Sequence, residues 1–466
     1  MFNRVRIRMG GIIVIIFSPW VRIGRGGEMD KGVKSWAGMA IEKSRPLKIL
    51  LKKIELAEGK VWQAKRNLFP EITFSYQDRQ GKISGLEYDG VSYKGKLNQR
   101  IFDGGRSGYT LSREEMALEK ARREYEKLRG ELIYKVGQAY WKVVQARLSR
   151  QSFEAVFKDI EGLLSQAETI YREELISGQE FLEINSQFLK ALVKKNTLER
   201  DEDLALLTFS QAVNLKEGEA VAVEREIPFN PVEVPFSTLW EMAQQNRLEW
   251  RISYLEKEMS RLNYRLARRE NWPEVGLTFS YGSSAEDYKF NHLDLDDEWQ
   301  VLGKVTLNIG ASSLNYNYDR ESLAPVVSSF RGQEIESHTI DFSLLDRLDK
   351  GNRIREEEIR LEEASEAQDE EEKKIRREVE EAWFNLKRAK VQVEAASKEL
   401  SLREREEEIV SLKKGMGKSS LAELVAAKIN LGESKNYYLT SLSEYIIAIA
   451  ELNRSIGQPF CFPQEN

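Results

Sequence analysis

The chain has 466 residues, enough for two or three ordinary domains or one elongated one. Its 71 Lys and Arg stand against 76 Asp and Glu, a net charge of −5 with the signs intermingled, which suits solvated helix faces and argues against a nucleic-acid partner. One cysteine, Cys461, excludes a disulfide framework and a thiolate site, and the histidines His292 and His338 have no partnering motif, so no metal and no cofactor is expected.

The chain opens with Arg4, Arg6 and Arg8, followed by the apolar run GIIVIIF (Gly11 to Phe17) and Pro19. A basic stretch before a short apolar one is the pattern of an export signal, so residues 1–30 are expected to be a signal or targeting segment. No later run reaches the roughly 18 apolar residues of a membrane helix, so any membrane crossing must use strands.

The first repeat is expected over residues 31–215 as a helix, a β-hairpin and a long helical hairpin. LFPEITFSY (Leu68 to Tyr76) opens its strands, with Ile72, Phe74 and Tyr76 on one face and Thr73 and Ser75 on the other. The return strand is Tyr93 to Phe102. Apolar-out, polar-in alternation suits a lipid-exposed barrel wall and equally a half-buried soluble sheet. From Gly105 to about Arg172 no proline occurs, and Tyr125, Leu128, Leu132, Val136, Ala139 and Val143 form a coiled-coil seam. The rod turns at ELISGQE (Glu174 to Glu180) and returns as a shorter helix.

A linker is expected at residues 216–235, which hold three prolines, and then the pattern repeats over 236–460. VGQAYWKVVQAR (Val136 to Arg147) and VEEAWFNLKRAK (Val379 to Lys390) share one frame, offset by 379 − 136 = 243 residues. NWPEVGLTFSY (Asn271 to Tyr281) repeats the strand opening, with Pro70 on Pro273 at an offset of 203, and again sets Phe279 and Tyr281 outward. The difference, 243 − 203 = 40, places about forty extra residues in the second hairpin connection, residues 282–338. By repeat register the second return strand is Thr339 to Leu345. The extra residues, including VLGKVTLNIG (Val301 to Gly310), are expected to form an elaborated outer loop. A second rod runs from about Asn352 to Lys413 and turns at KKGMGKSS (Lys413 to Ser420).

The duplicated order, the strand-opening prolines, the QRIFDGG turn (Gln99 to Gly105) and the two tip segments together resemble the TolC-like outer-membrane factor family. The resemblance implies a mostly α fold with a small antiparallel β part: long coiled-coil hairpins plus strands that form a trimeric transmembrane β-barrel, tandem duplicated. It implies a homotrimer in the outer membrane with a long periplasmic extension, four strands per chain in a 12-stranded barrel. It implies passive export to the exterior, in a tripartite efflux pump or a type I secretion system. Partners are then outer-membrane lipid, a periplasmic adaptor and, through it, an inner-membrane pump. Carried onto this chain, the resemblance makes Glu180, Glu183 and Glu423 an acidic gate at the pore, although the same glutamates also suit an ordinary helix surface. It makes Ser177, Gly178, Gly415, Met416, Gly417 and Lys418 the adaptor-docking tips. Phe74, Tyr76, Phe279 and Tyr281 are the membrane-strand aromatics. No catalytic constellation is present, so no enzyme is expected. The competing reading is a soluble coiled-coil scaffold without a pore.

Overall fold

A computed structural model describes residues 32–83, 86–215, 221, 223–288, 294–324 and 333–458. The expected signal segment, His292 and Cys461 lie outside the described residues. Two helices, α1 (Val33–Lys43) and α2 (Arg45–Arg66), open the first repeat where one was expected. Ser44 divides them: its side chain accepts from Leu47 N and caps α2, which carries a proline in its first turn. Strands β1 (Glu71–Ile83) and β2 (Leu86–Phe102) follow, then the rod α3 (Arg106–Arg172) and its return α4 (Gly178–Val213). The second repeat has the same plan: α5 (Phe236–Asn246), α6 (Leu248–Arg269), strands, α7 (Lys350–Gly415) and α8 (Leu421–Ser455). With 67 residues at 1.5 Å per residue, α3 is a rod of about 100 Å. No described helix is long and apolar enough to cross a membrane.

The strand count departs from expectation. Among the described residues the second repeat holds four strands, β3 (Glu274–Tyr288), β4 (Asp296–Ile309), β5 (Ser312–Leu323) and β6 (Gln333–Ser343), against two in the first. All six form one antiparallel sheet in chain order. The segment Val301 to Gly310 is therefore not an outer loop, and it does not replace the segment from Thr339. Both are strands of the same sheet, and four strands per chain is corrected to six. Repeat register could not reveal this, because a complete hairpin inserted between β3 and β6 keeps the up-and-down order and leaves the flanking matches intact.

The seam on α3 is only partly a core. Val136, Ala139 and Val143 are buried, whereas Tyr125, Leu128 and Leu132 are half-buried. The main core lies at the middle of the rods, where α3, α7 and α8 meet α1, α4 and α5 around Tyr140, Trp141, Phe209, Val379 and Tyr445. The repeated aromatic pairs have a shared task there: both hold the connector between the repeats. Tyr140 Oη accepts from Glu224 N at 3.1 Å, and Trp383 Nε1 donates to the Val234 carbonyl at 3.0 Å. Tyr445 Oη completes the strap, accepting from Val232 N and donating to the Asn230 carbonyl, each at 2.9 Å. The prolines keep the connector extended, and these bonds satisfy backbone groups that no sheet or helix would pair.

Buried charge also ties elements together at this level. Glu202 on α4 takes Arg147 Nε at 2.9 Å and also binds Arg150, while Arg147 donates to the Val221 carbonyl at 3.1 Å. Burial pushes the Glu202 carboxyl up, but the hydrogen bonds from Arg150 and Arg147 outweigh it and hold it below the usual carboxylate range.

Candidate functional site

The six strands present two chemically distinct faces, and the register carries each face across the whole sheet. Ile72, Phe74 and Tyr76 lie opposite Leu97, Gly95 and Tyr93. The same rows continue through Phe279 and Tyr281 to Val301 and Trp299 and turn polar at Arg320 and Ser322 on β5, while the row nearer the rods stays apolar from Val275 through Val305 and Tyr316 to Ile340. This apolar face has no cover within the chain: Phe74 is 84% exposed and Ile340 68%. Aromatic residues cluster toward one edge, with Tyr76 and Tyr93 rings 5.1 Å apart. An apolar band edged by aromatics is what a barrel shows to lipid. The expected outward residues Phe74, Tyr76, Phe279 and Tyr281 all stand on it.

The opposite face is polar and internally bonded. Thr278 Oγ1 donates to Asn98 at 2.7 Å, Gln300 Nε2 to Asp319 at 2.9 Å, and Thr306 Oγ1 to Asn315 at 2.8 Å. Lys94 pairs with Glu298 at 2.7 Å. Gln77, Arg79, Ser92, Lys94, Ser284 and Glu298 line a concavity on this side. A barrel closed from the sheet would put this side on the lumen. These polar-face residues were not picked out from the sequence, because polar positions between apolar ones look the same in any half-buried sheet.

The strand-to-helix junctions fix the sheet on the rods. In the first repeat Gly104 and Gly105 have φ of 69° and 78°, and a Cβ on Gly104 would lie 2.6 Å from Trp272 Cβ. Asp103 then caps α3, accepting from Ser107 N at 2.8 Å. In the second repeat, which lacks the glycine pair, Leu345 takes the positive φ at 57° and Asp346 accepts from Ser313 Oγ at 2.6 Å.

At the far end the two helical hairpins share one apolar core. Ile176, Phe181 and Ile184 of the first tip pack with Leu421, Ala422 and Val425 of the second. Lys428 of α8 bridges the pair, reaching Asp159 on α3 at 2.9 Å and Glu407 on α7 at 3.1 Å. The turns are equivalent by the 243-residue offset: Glu174 has φ 60° in one and Gly417 φ 70° in the other. Gly178 is not the turn. It is the first residue of α4, with an ordinary φ and room for a side chain, the nearest atom being Tyr171 Oη at 3.8 Å. Ser177 and Ser420 are the N-caps of α4 and α8, accepting from Glu180 N and Glu423 N at 3.1 Å each. Met416, 69% exposed, stands at the tip beside Gly415 and Lys418.

The acidic residues therefore occupy matched places. Glu180 and Glu423 are the third residues of two helices that begin at the same end; Glu423 is exposed, as is Glu183 one turn on from Glu180, while Glu180 is half-buried. They differ in their bonds. Glu423 completes a capping box, its carboxylate accepting from Ser419 Oγ and from Ser420 N at 3.3 Å. The Ser419 hydroxyl and the Ser420 N–H hold its carboxyl below the usual value. The sequence reading missed this capping role, which the spacing SxxE (Ser420 to Glu423) spells out. Among the described residues no group of acids, histidines or cysteines could hold a metal ion.

Residues 36–215 match the model of the outer membrane efflux protein family. No curated protein shows significant sequence similarity to the chain. Solved structures share its fold over nearly its whole length. The CmeC outer membrane channel of Campylobacter jejuni is 14% identical with a TM-score of 0.72, covering 93% of this chain and 87% of that one. VceC, an outer membrane protein of Vibrio cholerae, is 12% identical with a TM-score of 0.72 over 92% of this chain and 96% of its own. The open-state MtrE channel of Neisseria gonorrhoeae is 14% identical with a TM-score of 0.70, covering 92% and 89%. The protein thus has the fold of TolC-like outer-membrane factors, and its first repeat carries the sequence of the outer membrane efflux protein family. These neighbours are an outer membrane protein and outer membrane channels, and what the chain shares with them is the fold.

Proposed function

We propose that three copies of this chain close into one duct that conducts solutes passively from periplasm to exterior, as the exit of a tripartite efflux pump. The observation that carries this is the sheet: one uncovered apolar face, one polar face, and two open edges, all mounted on paired rods of about 100 Å. Open edges are intolerable in lipid, so β1 of one copy must pair with β6 of the next. The rods need neighbours too. Leu182, Leu189 and Val193 form a bare stripe on α4, and Leu402, Ile409 and Leu412 another on α7. Packing one against the other around a ring covers both. A soluble scaffold would account for the rods but would leave the apolar sheet face in water.

Within this reading the tips are where a periplasmic adaptor docks and where Glu180, Glu183 and Glu423 gather at the narrow end. The family description and the channel neighbours favour efflux over protein secretion. Docking is tested at the one tip glycine whose conformation demands glycine. Gly417→Val forces a β-branched residue to φ 70° and is expected to abolish transport while the oligomer and its outer-membrane level stay normal. Gly178→Val, at an ordinary helical position, is expected to be much milder. Full transport by the Gly417→Val protein would remove the tip from the docking role.

A further inference from the structure

The β4–β5 hairpin is the part of the fold that the proposed function does not require. We infer that it is part of the membrane wall, so that three chains of six strands close a barrel of eighteen, built on the trimeric channel reading above. Three observations place it there. First, β4 pairs with β3 over eleven residues, from Glu274↔Thr306 to Ser284↔Asp296, and β5 pairs with both β4 and β6 along its whole length. It is a full-height part of the sheet and not a flap at one end.

Second, its turn lies at the helical end of the sheet, where an outer loop could not reach. Asn308 donates to the Glu270 carbonyl at the end of α6 at 2.6 Å, Arg347 N to the Ala311 carbonyl at 3.0 Å, and Leu345 N to Ser312 Oγ at 3.2 Å. The hairpin therefore runs from the outer side down to the junction with the rods.

Third, it carries both faces in phase. In the half nearer the rods, Val305 and Leu307 with Leu314, Tyr316 and Tyr318 continue the apolar face, which Trp299 and Val301 extend on β4 opposite Ser322 and Arg320; Gln300, Lys304 and Thr306 with Asn315, Asn317 and Asp319, interrupted by Leu302, continue the polar one. A one-residue slip would reverse this, so the phase is specified. An inserted hairpin also adds an even number of strands, so β6 still meets the next copy's β1 antiparallel.

Barrel diameter grows about linearly with strand number, so eighteen strands give an exit roughly one and a half times as wide as twelve. The constriction then lies wholly at the helical tips, and the barrel becomes a wide polar mouth lined by Lys94, Lys304, Glu298 and Asp319.

The test uses the full chain with Cys461→Ser, which leaves no other cysteine. Single variants Tyr316→Cys, Tyr318→Cys and Val305→Cys, and their neighbours Asn315→Cys, Asn317→Cys and Lys304→Cys, are labelled with a fluorophore in lipid vesicles holding lipid-attached quenchers. Loss of fluorescence at the first three and none at the second three is the expected result. Equal aqueous exposure of all six in a trimer overturns the eighteen-stranded barrel and leaves the channel reading standing. A preparation that is not trimeric defeats the channel reading itself. Electron microscopy of the unmodified trimer gives an independent measure: a barrel of twelve strands overturns the inference, and one of eighteen carries it.

Discussion

Gly282→Val is expected to prevent assembly of the channel. Gly282 lies opposite Lys94 at the β2–β3 seam, the only strand pairing that joins the two repeats among the described strands. A Cβ there would stand 1.9 Å from the Tyr93 carbonyl oxygen and 2.8 Å from Lys94 Cα, both backbone atoms that no rotamer change can move. The cost exceeds the roughly 1–3 kcal/mol of ordinary overpacking, because the strands themselves must part. The expected readout is loss of the heat-stable oligomer and of outer-membrane protein. Gly276→Val is the control on the same strand: nothing lies within 4 Å of its added Cβ, so it should assemble normally. Equal behaviour of the two variants would mean that the seam is not the join on which the sheet depends.

The largest effect on conduction is expected from Glu180→Gln combined with Glu423→Gln. A trimer brings six of these carboxylates to one end of the tube, where they repel one another and attract cations. Glutamine keeps the volume, and at position 423 it keeps an acceptor for the capping box, which takes Glu or Gln alike. The rods should therefore survive the change. In single-channel recordings the double variant is expected to lose cation preference and block by multivalent cations. Glu423 adds a pH signature. Its lowered value keeps the carboxylate charged to more acid pH than an unbonded glutamate, so the unmodified gate should retain part of its cation preference as pH falls. The sign for stability is the same: the capping contribution of the carboxylate is present at neutral pH and is lost as pH falls through that lowered value. Unchanged selectivity and block in the double variant would leave Glu423 as a capping-box residue and Glu180 as an ordinary first-turn glutamate.

How much of this was legible in the sequence varies by level. The rods were plain, because proline-free periodic stretches permit little else, and the observed α3 ends at Arg172 as expected. The duplication was legible from an aromatic pair that recurs because each copy must hold the same connector. That Phe74, Tyr76, Phe279 and Tyr281 share one face of the sheet was legible from alternation. The strand number was not: a forty-residue excess gives a length but no conformation, and VLGKVTLNIG reads as a strand without saying whether it lies in the wall or above it. The turn residue of the first tip was also hidden. Sequence placed the turn within Glu174 to Glu180 without marking a residue, and the left-handed position falls on Glu174, a residue with no propensity for it. Only the offset to Gly417 marks that place, and the shared tip core with Leu421 and Ala422 fixes it there.

The stoichiometry of the protein extracted from outer membranes in mild detergent tests the proposed channel most directly, since sheet edges, apolar stripes and gate all require neighbours. Native mass spectrometry of that preparation is expected to give a single species of three chains, retained in the outer-membrane fraction and opening cation-selective pores in planar bilayers. A monomer released into the soluble fraction, with no conductance, would contradict the channel and favour the scaffold.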